Sequence, residues 1–214
     1  MPLPSKLPTT PLSRTHAAAL SRVLDAIPRG YVRYTSGVVA SAKLPALVSK
    51  FHRVHAVAAT PAQRMTRKKQ GKANAILALY QPEDAEMVLW LLLFTPGELG
   101  AHEVLKHVAD KPRLSWLGYE LSRHNYKEST RWTWRRPREA MQELYAVLDI
   151  QLKQHQWRAV EQTLARIASQ PAFHGVRGQS WRLCQEAQSR GYPGELPVLF
   201  YLQKVGHGER ISVA

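Results

Sequence analysis

Two largely apolar runs, Ala73 to Tyr80 and Glu86 to Phe94, constrain this chain more than any other feature. Each is far shorter than the ~20 apolar residues needed to cross a bilayer. Runs of this length, bounded by turn residues, suit buried strands. Gln81-Pro82-Glu83-Asp84 between them is turn composition, so the two runs are predicted to form a hairpin.

The segments before the hairpin have helical periodicity. Leu20, Val23, Leu24 and Ile27 form an i, i+3, i+4, i+7 stripe, which predicts a helix over Thr15 to Ile27. Pro28-Arg29-Gly30 stops it. Tyr31 to Thr35 alternates as a short strand, and Ser36-Gly37 reads as a turn. Leu44, Leu47, Val48, Phe51, Val54, His55 and Ala58 share one face of a second helix. Thr60-Pro61 is a helix start, giving a third helix from Pro61 to Gln70. Helix, strand, two helices and a hairpin, over residues 15–94, resemble a winged helix in order and spacing. That resemblance implies that the third helix enters a nucleic-acid groove. Pro at 2, 4, 8 and 11 predicts a flexible tail over residues 1–12.

Residues 113–136 read as two further strands, Arg113 to Leu121 and Arg131 to Arg136. After Pro137 the periodicity is helical. Met141, Leu144, Tyr145, Leu148 and Leu152 form one stripe, and Trp157, Val160, Leu164 and Ile167 another. A third helix is expected over Gln179 to Arg190, and Leu196 to Val205 fits either a strand or a packed tail. The expected fold class is therefore α+β, with a winged-helix-like N-terminal half, added antiparallel strands and a C-terminal helical bundle. The expected division is a tail (1–12), a basic α+β region (13–136) and a near-neutral helical region (137–214) for dimerisation or partner docking.

Charge separates these regions. Thirty Lys and Arg stand against sixteen Asp and Glu, a net +14. Residues 1–80 and 111–138 hold the excess, 81–110 is net acidic, and after 138 eight bases face seven acids. A pI near 10.2 is the electrostatic footprint of a polyanion binder. The single cysteine, Cys184, excludes an intramolecular disulfide framework and a cysteine-rich zinc site, and suits a reducing, cytoplasmic compartment. No membrane span or secretory signal is recognisable.

The first candidate contact is Arg64, Arg67, Lys68, Lys69 and Lys72. Like charges at i, i+4 cost a helix a few tenths of a kcal/mol per pair, and an external anion would relieve them. The alternative is a solvated basic face. Arg131, Arg135, Arg136 and Arg138 make a second contact. Trp132 and Trp134 alternate with them, either as a base-stacking platform or as the core face of a strand. Arg33 and Tyr34, beside Tyr31 and Arg29, form a third cluster, with Tyr34 a further stacking candidate. His52, His55 and His124 are the residues best suited to metal-independent acid–base cleavage of RNA. Glu83, Asp84 and Glu86 fit a solvated hairpin tip, or a metal site with Glu103. No nucleotide-binding loop or nucleophile elbow is present.

The expectation is a basic nucleic-acid-binding protein contacting DNA or RNA through Arg/Lys patches, with no cofactor, no metal and no catalysis of its own. Competing expectations are a metal-independent endoribonuclease and a basic subunit of a larger nucleoprotein assembly.

Overall fold

The computed structural model describes residues 9–99, 104–126, 129–201 and 209–212. The chain divides into two compact units. The first is built from residues up to Pro112 together with the returning segment from Val205; the second spans Arg113 to Lys204. Together they are α+β.

The predicted hairpin is the centre of the first unit. β3 (Ala75–Tyr80) and β4 (Met87–Phe94) pair antiparallel, with Ala75 opposite Phe94 and Tyr80 opposite Leu89. Four more strands extend them: β1 (Thr9–Ser13), β2 (Arg33–Ala40), β5 (Lys106–His107) and β9 (Glu209–Ser212). The strand order is β5-β2-β4-β3-β1-β9, and β1 runs parallel to β3. Every residue of β3 is buried, as expected of a strand covered on both faces.

Strand alternation assigns the two faces. Ala75, Leu77, Leu79, Val88, Leu92 and Phe94 pack with Leu44, Val48 and Phe51 of α2 (Leu44–His55). The opposite face carries Tyr80, whose ring meets His16 of α1 (His16–Ala26) at 4.7 Å. The sheet is thus a middle layer between α1 and α2. This corrects the winged-helix expectation: the hairpin is the core of a six-stranded sheet, not a wing beside three helices.

Two further expectations change. Residues 9–12, placed in a flexible tail, belong to β1, where Thr10, Pro11 and Leu12 are buried. The backbone is extended, as its prolines favour, but it is paired. Pro11 has no N–H to donate, and pairing with β3 starts just after it, at Leu12 opposite Leu79. The rest of that tail lies outside the described residues. Ser36-Gly37 is not a turn but the middle of β2. Gly37 sits opposite Trp90, and a Cβ there would lie 2.6 Å from the indole ring. The glycine accommodates the tryptophan.

The second unit begins with a three-stranded sheet of β6 (Ser115–Trp116), β7 (Tyr119–Tyr126) and β8 (Ser129–Arg135). The Arg113–Leu121 run is therefore two strands, folded at Leu117-Gly118, both at positive φ. Then come α4 (Arg138–Lys153), α5 (Trp157–Ala168) and α6 (His174–Ser189). Leu148, Leu152, Val160, Leu164, Ile167 and Leu183 close their core. α6 starts five residues before the expected Gln179. Its Gly175 meets the β8 backbone, where a Cβ would be 2.5 Å from the Trp134 carbonyl oxygen. The sheet thus shares a unit with the helices, so the division falls near 112 and not at 136. Among the described residues no helix is long and apolar enough to cross a membrane.

Candidate functional site

α3 (Pro61–Lys69) buries none of its side chains, although Met65 is 60% exposed and apolar. Packing on a core normally stabilises a helix this short. Here polar contacts hold it instead. Thr60 and Gln63 form a reciprocal capping box: the Gln63 N–H donates to Thr60 Oγ1 at 3.3 Å, and the Thr60 N–H to Gln63 Oε1 at 2.8 Å. Arg64 donates to the carbonyls of Ala59 and Val57 in the preceding turn, and to the Tyr31 hydroxyl. Asn74 donates back to the Arg64 carbonyl at 3.0 Å. Arg67 donates to the Ala73 carbonyl at 2.8 Å.

The five bases expected to act together therefore split. Arg64 and Arg67 fasten α3 to main-chain carbonyls, which corrects their assignment as side chains reaching out to base edges in a duplex groove. Their guanidinium forks reach main-chain carbonyls that a lysine point charge would serve poorly. Lys68, Lys69 and Lys72 are exposed and make no ion pair or side-chain hydrogen bond with the described residues. Lys68 and Lys69 lie in the last turn, where the helix dipole favours cations. Lys72 lies beyond the helix end, so the dipole does not account for it.

A cleft of about 590 Å³ runs between the end of α2 and α3. Ala56, Ala58, Ala59 and Ala62 give it apolar walls. Its polar groups come from His52, Gln63, Thr66 and Arg67. His52 Nε2 shares a 2.7 Å hydrogen bond with the Thr10 hydroxyl, and burial lowers its pKa, so the ring is neutral near pH 7. The chain turns between the helices through Ala56, at φ 51, whose N–H donates to the His52 carbonyl.

The third cluster also points inward. Arg33 donates to the carbonyls of Thr95 and Gly97 at 2.7 and 2.8 Å, joining β2 to the segment after β4. Tyr34 is buried, so it cannot stack on a base; burial and the Asp110 charge raise its pKa. Arg29 bonds the Asp25 carbonyl one turn back.

In the second unit, Arg136 is 4% exposed. Its guanidinium donates to Gln170 Oε1, Ser180 Oγ and the carbonyls of Ile167 and Val176. Gln179 brackets its main chain, accepting from the Arg136 N–H and donating to its carbonyl. Burial lowers its pKa, opposed by the neighbouring Tyr119. Arg136 is thus an internal tie between β8, α5 and α6 and not a phosphate contact. Arg135 is half-buried and pairs with Glu120 across the strands at 3.3 Å. Trp134 is fully buried, so the core-face alternative holds for it. Trp132 is half-buried beneath the Arg123 guanidinium, 4.6 Å from the ring centroid. The face opposite the tryptophans is also covered at Thr133, whose hydroxyl accepts from the Gly175 N–H. Arg131 and Arg138 remain on the surface.

The histidines do not assemble into an acid–base pair. His55 is buried beside Phe51 and Phe94. His124 stacks on His174 at 4.2 Å in the other unit, and burial, then His174 and Arg131, lower its pKa. Glu83, Asp84 and Glu86 are exposed at the hairpin tip; Glu103 lies outside the described residues. Among the described residues no group of three or more His, Cys, Asp or Glu is placed to hold a metal. Cys184 is buried. The capping box escapes a reading by charge and periodicity, yet Thr-Pro-Ala-Gln carries its signature, a threonine followed three residues later by glutamine. Comparison with protein-family models, with characterised proteins and with solved structures finds no match to this chain.

Proposed function

We propose that this protein binds nucleic acid through the exposed side of α3, with Lys68, Lys69 and Lys72 on the phosphate backbone. The observation that carries the reading is that α3 has no core face. Two arginines and a capping box fasten a helix that buries nothing, and the lysines at its end are left to the solvent. A helix held outward in this way is suited to contact something beyond the chain, and its charge selects an anion. The arginines that would read bases in a groove are committed internally, so recognition is of backbone charge rather than duplex sequence.

The test is fluorescence anisotropy with a labelled 12-nucleotide single strand, a duplex and a structured RNA at fixed salt. The K68Q/K69Q/K72Q variant is expected to lose binding to all three, while R131Q/R138Q keeps most of it. Equal binding by the wild type and the lysine variant would refute the reading.

A further inference from the structure

We propose that the cleft between α2 and α3 is a pocket for one unpaired nucleobase, so that the ligand of α3 is single-stranded. This rests on the backbone reading above and names the class of nucleic acid.

The cleft adjoins the lysines. Thr66 lines it, and Lys69, three residues on, is its neighbour on the helix surface. A strand whose phosphates lie along Lys68, Lys69 and Lys72 therefore passes the cleft mouth. The volume of about 590 Å³ exceeds that of a single base with its sugar, and admits one nucleotide without a paired partner.

The lining is complementary to a base. Alanine walls on both sides offer small, flat apolar surfaces to the faces of a planar ring. Apart from His52 on α2, the polar groups lie on α3. Gln63 uses its amide oxygen in the capping box, which turns its amide nitrogen away from Thr60. Arg67 uses Nη2 on Ala73. Among the described residues, Gln63 Nε2 and Arg67 Nη1 have no hydrogen-bond partner, so both offer donors. Thr66 donates its hydroxyl proton to the Ala62 carbonyl at 3.2 Å, which leaves its oxygen as an acceptor. Two donors and an acceptor on one wall match the edge of a uracil or thymine ring, which carries two carbonyl oxygens and one N–H. Adenine presents fewer acceptors to such a wall. In a duplex that edge is occupied by the partner base, so the pocket selects unpaired strands.

The experiment compares a 12-mer of deoxythymidine with an abasic 12-mer of the same backbone, by anisotropy at fixed salt. The wild type is expected to bind the thymidine strand about tenfold more tightly, the effect of one or two hydrogen bonds. Ala62→Leu fills the cleft from an exposed helix position with a good helix former. It is expected to reduce the thymidine strand to the abasic affinity and to leave the abasic affinity unchanged. Equal binding of the two strands by the wild type, or a base advantage that survives in Ala62→Leu, would overturn the pocket. In parallel, uridine, which carries no phosphate, is titrated against the amide resonances of Ala59, Ala62, Gln63 and Thr66. This arm does not depend on the lysines. Shifts there without strand binding would refute the backbone reading alone, and their absence would refute the pocket alone.

Discussion

Arg136→Met separates a surface role for this arginine from an internal one. As a surface contact, its loss would weaken binding and leave stability unchanged. As the internal tie seen in the structure, its loss removes four hydrogen bonds donated by one guanidinium, to Gln170, Ser180, Ile167 and Val176. Hydrogen bonds to a charged group contribute about 1.5–3 kcal/mol each. They do not sum, because the substitution also relieves the cost of burying a cation without a carboxylate. The groups left behind are neutral, each costing about 1–3 kcal/mol if unsatisfied, and after that offset a net loss of about 3–5 kcal/mol is expected. Against a total stability of about 5–15 kcal/mol, that is a large fraction. With a urea m-value of about 2 kcal/mol/M, the midpoint should fall by about 1.5–2.5 M. Tryptophan fluorescence suits the measurement, since Trp116, Trp132, Trp134, Trp157 and Trp181 all lie in the second unit and Trp90 alone in the first. Arg138→Met, two residues on and exposed, should stay within about 0.5 kcal/mol of wild type. A midpoint for Arg136→Met indistinguishable from that of Arg138→Met would refute the internal role.

Thr60→Ala removes one half of the capping box and should cost about 0.5–2 kcal/mol. Because α3 has no buried side chain, hydrogen exchange should show that loss as faster opening of residues 61–69 while β3 stays protected. Gly37→Val drives a side chain into the Trp90 ring and should cost about 1–3 kcal/mol, with a shift in Trp90 emission; unchanged emission would contradict the packing. Burial lowers the pKa of His16, His52 and His124, so the unfolded chain binds more protons than the folded one as pH falls through the ordinary value of 6.5. Stability should be fully present above that pH and decline below it. Replacing His124 by Phe should flatten the decline in the second unit, as read by urea titrations between pH 7.5 and 5.5.

The elements were legible where periodicity and punctuation agreed. The stripe of α2, the Thr60-Pro61 start of α3 and the turn between β3 and β4 each carry a local signal that tertiary structure kept. β1 was not legible. Its prolines and threonines say extended chain, and only pairing with β3 and β9 makes it a strand. The direction of arginine side chains was the larger loss. Arg33, Arg64, Arg67 and Arg136 each end on carbonyl oxygens, some within two turns of chain and others across the fold, with no fixed spacing. Charge counting treats them like the lysines of the surface. The tryptophan alternation in β8 was readable, and so was the choice it posed. What decided it was the complete burial of Trp134, with α6 covering the opposite face of the strand through Gly175. Of the candidate site, the three lysines were visible in the sequence. The cleft beside them was not, because alanines that form a wall carry no signal of it.

The central claim is that three lysines, and not the whole positive charge, engage the phosphates. The most direct test is the salt dependence of single-strand binding. Each phosphate neutralised contributes about −0.7 to the slope of log K against log salt, so three lysines predict a slope near −2. In K68Q/K69Q/K72Q the slope should approach zero, with the fold confirmed by circular dichroism. A slope that stays near −2 in the triple variant, or a wild-type slope of about −5 or steeper, would contradict the account.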